Sequence, residues 1–224
     1  MSKLAQAERL LSALLSLATI AGVGILIDNR FRPPEPSGGR SRIEEVENWA
    51  QRSLPLATAV SDGAAGSVSV TTFTDYECPM CRIADSVLRV LDTSTRVIDR
   101  KVIPFPLPGH RNAMAAAEAL ECAASQGRAS AMHTALYQSS SEFSTAPWVR
   151  LSRVAGVHDS AAFALCLSAE STKTKVLAGL ELGRQLKISG TPAFVVNGTL
   201  YDAVPLDEVE RAIRKQQRSS PRTP

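Results

Sequence analysis

The chain has 224 residues, 44% of them hydrophobic and 21% charged, which is ordinary globular composition. That length suits one domain with additions and can bury a sizeable core. A net charge of +3 is too mild to argue for a nucleic-acid partner, and no internal repeat is visible.

Leu10 to Ile27 reads LLSALLSLATIAGVGILI, a run without a charge at the lower edge of what a helix needs to cross a bilayer. Residues 1–30 are therefore expected to be a membrane anchor or a signal segment. A weak small-x-small cleavage pattern, Thr19-Ile20-Ala21, would leave apolar residues on the mature end, so an uncleaved anchor at 10–27 is preferred to a secreted form. Lys3 and Arg9 precede the run, while Arg30, Arg32, Arg40 and Arg42 follow it. By charge alone the main domain would stay in the cytoplasm, a conclusion the cysteines oppose.

Residues 31–65 read as a linker, RFRPPEPSGGRS, and a short helix through Trp49 opened by a capping box of Ser41 and Glu44. The main domain is expected over 66–216. GSVSVTTFTDY (66–76) is a β-branched strand candidate, and Met80, Ile83, Ala84, Val87, Leu88 and Leu91 then form a helical stripe. RVIDRKVIPFPL (96–107) is a second strand. Helical segments follow at 112–126, 128–137, after Thr145-Ala146-Pro147, at 159–167 and at 171–186, making an insertion of about 110–187. PAFVVNGTLY returns to β with a tight turn at Asn197-Gly198, and a last helix runs from Pro205 to Arg214. The basic residues 217–224 are expected to be a disordered tail. This order implies an α/β fold, a central mixed sheet flanked by helices with an α-helical block inserted in the middle.

Chemistry concentrates at Cys78-Pro79-Met80-Cys81, where the first strand gives way to a helix. Pro79 suits the first helical position, which places Cys78 at the helix N-terminus. Backbone N–H groups and the helix dipole there favour a thiolate. Cys81 shares the helix face and is close enough to form a disulfide. That arrangement suits a nucleophile and a resolving thiol; half of a zinc site and an inert structural bridge are the alternatives. Zinc would want a second close pair of ligands, whereas Cys122 and Cys166 are 44 positions apart and His110, His133 and His158 are scattered. The histidines read as surface or core filler. If Cys78 pairs with Cys81, then Cys122 is left to Cys166, in an oxidising compartment. Two separate buried thiols are the alternative.

ISGTPAFVVNG (188–198) places Pro192 ahead of a strand that can lie beside the Cys78 turn. Together with FTDYECPMC and FPLPGHRNAMAAAEALECAASQG, this stretch resembles the thioredoxin-fold thiol–disulfide oxidoreductases of the DsbA type, in the branch with an extra disulfide in its helical insertion. The resemblance covers about Gly66 to Arg214. It implies a nucleophile at Cys78, a resolving thiol at Cys81, a cis-proline at Pro192 after Thr191, and a Cys122–Cys166 structural disulfide. Substrate would meet Thr191, Pro192, Pro79 and Met80. No cofactor or metal is implied. Partners would be reduced or misoxidised exported polypeptides and a membrane redox protein that resets the pair.

Two departures bear on mechanism. Met80 stands where strongly oxidising members carry histidine, and a thioether donates neither a hydrogen bond nor charge. Thr72, six residues before Cys78, stands where oxidases of the family often carry a buried carboxylate. Proton transfer to Cys81 then needs another group or water, with Asp75 and Glu77 the nearby candidates. Both carboxylates otherwise read as exposed loop residues.

Overall fold

The computed structural model describes residues 40–61, 67–95, 98–145 and 147–219. The expected anchor at 10–27, its cleavage pattern and nearly all of the linker lie outside these residues. Among the described residues no helix is long and apolar enough to cross a membrane.

In chain order the elements are β1 (Arg42–Glu45), α1 (Trp49–Ser53), β2 (Thr58–Ala59), β3 (Val68–Thr74), α2 (Pro79–Thr95) and β4 (Ile98–Pro104). The helical block holds α3 (Ala113–Ala124), α4 (Ala129–Gln138), a 3₁₀ turn (Ser140–Thr145), α5 (Trp148–Val154), α6 (Ser160–Leu167) and α7 (Glu170–Gln185). β5 (Ala193–Val196), β6 (Thr199–Asp202) and α8 (Leu206–Ser219) close the chain. The sheet order is β1-β6-β5-β3-β4-β2; β3 and β4 are parallel, and every other pair is antiparallel.

The sheet is buried on both sides, and strand alternation decides which residue serves which face. Val68, Val70, Ile98, Phe194 and Val196 pack with Leu88 and Leu91 of α2 and with Val209 and Ile213 of α8. On the other side Phe73, Ile103, Val195 and Leu200 pack with Trp49 of α1 and with Leu182 and Leu186 from α7 and its end. The helical block has its own core of Leu120, Met132, Leu136, Phe143, Leu151 and Phe163, which reaches Tyr76, Cys78 and Cys81. Within it Cys122 of α3 and Cys166 of α6 are joined, with sulfurs 1.97 Å apart.

Three expectations are corrected. Ser41 and Glu44 do not cap a helix: Arg42–Glu45 pairs with β6, and the Ser41 hydroxyl donates to Ala203 O at 2.9 Å. The helix comes later, at Trp49–Ser53. Edge pairing satisfies the backbone of 42–45, and Arg42 fastens it by donating to Leu186 O, Lys187 O and Asp202. Pro147 is the N-cap of α5 rather than its first residue. Finally, α8 runs on to Ser219, into the stretch expected to be a tail, where i,i+4 pairs Asp207–Arg211 and Glu210–Arg214 support its exposed face.

Candidate redox site

The turn from β3 to α2 is built by Asp75. Its backbone carbonyl accepts from Cys78 N at 3.2 Å, and its Oδ1 accepts from Glu77 N at 2.7 Å. Those two bonds turn the chain so that α2 begins at Pro79, with Cys78 immediately before it. Asp75 Oδ2 accepts from Leu107 N and from His110 Nδ1, each at 2.8 Å, which ties this turn to the loop after β4. Asp75 is thus buried, not exposed, and its hydrogen bond raises the pKa of His110 above the ordinary histidine value. Glu77 accepts from Asn112 N at 2.7 Å and Asn112 Nδ2 at 3.1 Å, at the start of α3. Both carboxylates are engaged in holding loops together.

The β3–β5 register brings the second landmark to the first. Phe73 lies opposite Ala193, so the residues just before β5 fall beside the β3–α2 turn. The Thr191–Pro192 peptide bond there is cis. Cys78 Sγ lies 3.5 Å from Thr191 O, and the buried Thr191 hydroxyl stands beside the same sulfur. Pro79 and Met80 are exposed on the same rim, Met80 to 54%.

Cys78 and Cys81 are both free thiols, 8% and 1% exposed. The Cys81 thiol, donating to the Cys78 sulfur, lowers the Cys78 pKa from 9.0 to about 5. Burial opposes this, and the amides of Cys81 and Met80 with the Thr191 hydroxyl add to the lowering. Cys81 moves the opposite way: burial, then its bond to Cys78, pushes its thiol well above the usual range. One sulfur is therefore a thiolate at neutral pH and its neighbour a protonated thiol, the asymmetry that a nucleophile and a resolving partner need.

Sequence reasoning missed the polar groups behind Cys81. Thr72 faces them, as do Asp85 of α2, Arg100 of β4 and His133 of α4. A signal for Asp85 existed: it is four residues after Cys81 and so on the same helix face. Arg100 and His133 carry no such local signal. Among the described residues no cluster of side chains fits a metal ion.

Comparison with known proteins bears on the fold and the family. A Na(+)/H(+) antiporter, NhaA 3 of Salinispora tropica, is 33% identical over 135 residues, 58% of this chain; the matched stretch spans 20% of the antiporter's length. A thioredoxin-like oxidoreductase from Silicibacter pomeroyi superposes with a TM-score of 0.61 at 24% identity, over 78% of this chain and 99% of its own. The oxidoreductase DsbA from Xylella fastidiosa superposes with a TM-score of 0.55 at 20% identity, over 73% and 96%. These likenesses establish a thioredoxin-like fold with added helices. A thioredoxin family model matches residues 62–215, and the chain belongs to that family.

Proposed function

We propose that the chain is a thiol–disulfide oxidoreductase of exported polypeptides, in which Cys78 is the nucleophile and Cys81 the resolving thiol. The observation that carries this reading is the split of the two sulfurs, Cys78 lowered to about 5 and Cys81 raised, beside the Thr191–Pro192 turn. In the oxidising direction a substrate thiolate attacks Cys78 of the Cys78–Cys81 disulfide, Cys81 leaves, and a second substrate thiol then displaces Cys78. In the reducing direction Cys78 attacks a substrate disulfide and Cys81 resolves the mixed disulfide. Thr191 and Pro192, with exposed Pro79 and Met80, form the rim that an extended polypeptide would meet.

The Cys122–Cys166 bridge supports an extracytoplasmic site of action, because disulfides persist in oxidising compartments. Tethering by 10–27 and resetting by a membrane redox partner complete the proposal. Trapping with Cys81→Ala tests it, since the variant should accumulate mixed disulfides between Cys78 and exported polypeptides. Cytosolic partners would overturn the location. No trapped partner, with a Cys78 that alkylates like a free thiol of pKa about 8.5, would leave a polypeptide-binding module with a structural CxxC.

A further inference from the structure

Behind Cys81, on the α2 side of the sheet, lies a cavity of about 10 Å³ lined by Cys81, Thr72, Asp85, Arg100, His133 and Tyr137 among others. Asp85 Oδ1 accepts from Arg100 Nη2 and, at 2.8 Å, from His133 Nε2. His133 Nδ1 is 2.8 Å from the Tyr76 hydroxyl. A carboxylate can only accept, so Nε2 carries the ring proton. Burial holds the His133 pKa below its ordinary value, leaving the ring neutral at pH 7 with Nδ1 accepting from Tyr76. Asp85 is held below the ordinary carboxylate value by His133 and Arg100, which outweigh its burial. Arg100 Nε is buried with no partner among the described residues. A cavity of this size admits about one water, and these groups supply its polar partners.

Disulfide exchange requires Cys81 to lose a proton or to gain one, yet Cys81 is 1% exposed and burial favours its thiol. Thr72 offers no base in the neutral range, and Asp75 and Glu77 are engaged elsewhere. We infer that the His133–Asp85 pair, which lines the cavity with Cys81 from the helical block and from the next turn of α2, is the proton acceptor for Cys81; this rests on the oxidoreductase reading above. In the reducing direction the Cys81 proton crosses the cavity to His133 Nδ1, the ring's one unprotonated nitrogen, as the Tyr76 hydroxyl turns from donor to acceptor there. It rests as an imidazolium whose Nε2–H still donates to the Asp85 carboxylate. The Cys81 sulfur attacks Cys78 Sγ, the new S–S bond forms, and the Cys78–substrate bond breaks. The substrate sulfur leaves with the electron pair and is protonated by solvent. In the oxidising direction Cys81 leaves Cys78 as a buried thiolate and takes its proton from the same pair.

The groups around the pair set its balance. Arg100 of β4 and Arg89 of α2 oppose a proton on the ring, whereas Asp85 favours it. Lys101 of β4 and Tyr137 of α4 also line the cavity, Glu121 of α3 acts on Tyr76, and Asp92 of α2 interacts with Arg100.

The test is single-turnover resolution by Cys81 of a Cys78–glutathione mixed disulfide, formed on the reduced full chain with oxidised glutathione and followed by acid quench and mass spectrometry. With an internal base the wild-type rate constant stays level from about pH 7 to 9. In His133→Gln it falls about tenfold near pH 7 and then climbs about tenfold per pH unit, while the Cys78 alkylation midpoint stays put. A wild-type rate constant that already climbs about tenfold per pH unit overturns the inference without any variant. A folded His133→Gln protein with the wild-type profile overturns it too. Failure of the oxidoreductase reading is seen earlier and separately, as no glutathione adduct on Cys78.

Discussion

At the scale of single residues, Cys78 shows that a helix end can build a thiolate without a charged neighbour between the cysteines. Met80 contributes only its amide, and the Cys81 thiol is the main donor. The folded-state pKa of Cys78 is depressed, so its stabilising contribution is complete above its ordinary 9.0 and is lost as pH falls through about 5. Only the dithiol form has this thiolate, so it is the reduced protein that gains, which makes the pair more oxidising than ordinary thiols. Thioredoxin, with a cysteine pKa of about 7, sits near −270 mV, and DsbA, at about 3.5, near −120 mV. Glutathione titration of this protein should therefore give a potential between about −270 and −120 mV, and a value at either end would contradict the assignment. Cys81→Ala removes the main donor, so the Cys78 alkylation midpoint should rise by at least about one pH unit.

Among the elements, α7 lies against β4 through glycines. A Cβ at Gly183 would run into the ring of Phe105, the residue just after β4, and one at Gly179 would stand 2.8 Å from Ile103 Cγ2. Gly183→Ala should cost about 1–3 kcal/mol in urea unfolding, as overpacking of a filled interface does. Much of this architecture could be read from local pattern. The β-branched run of β3, the stripe of α2 and the Asn197-Gly198 turn, with φ of 45° and 90°, all follow from short-range rules. β1 could not, because Ser41 and Glu44 imitate a helix start and only pairing with β6, far along the chain, reveals a strand. The same limit hid the environment of Cys81. His133 meets Asp85 across 48 residues, and burial of Asp75 depends on Leu107 and His110. Sequence spacing singled out the cysteine pair but not the groups that surround it.

For the whole molecule, the helical block is held to the sheet by polar ties as well as by packing. His133 and Arg100 meet on Asp85, and Glu121 of α3 accepts from Thr58 of β2 at 2.8 Å and from Lys175 of α7. The Cys122–Cys166 bridge acts within the block, closing a separation of 44 residues. Replacing both cysteines with alanine should cost up to about 4 kcal/mol by the chain-entropy relation, read from urea midpoints, with Cys78 reactivity unchanged. The position of that bridge along the chain has a consequence for the order of folding. Phe73 must find Ala193 to complete the centre of the sheet, and both bridge cysteines lie between them. If the chain enters the oxidising compartment N-terminus first, Cys166 arrives before β5, and the bridge can close before the sheet does. Once closed it shortens the path between the strands, easing their meeting by about 0.4 kcal/mol, or about twofold in rate.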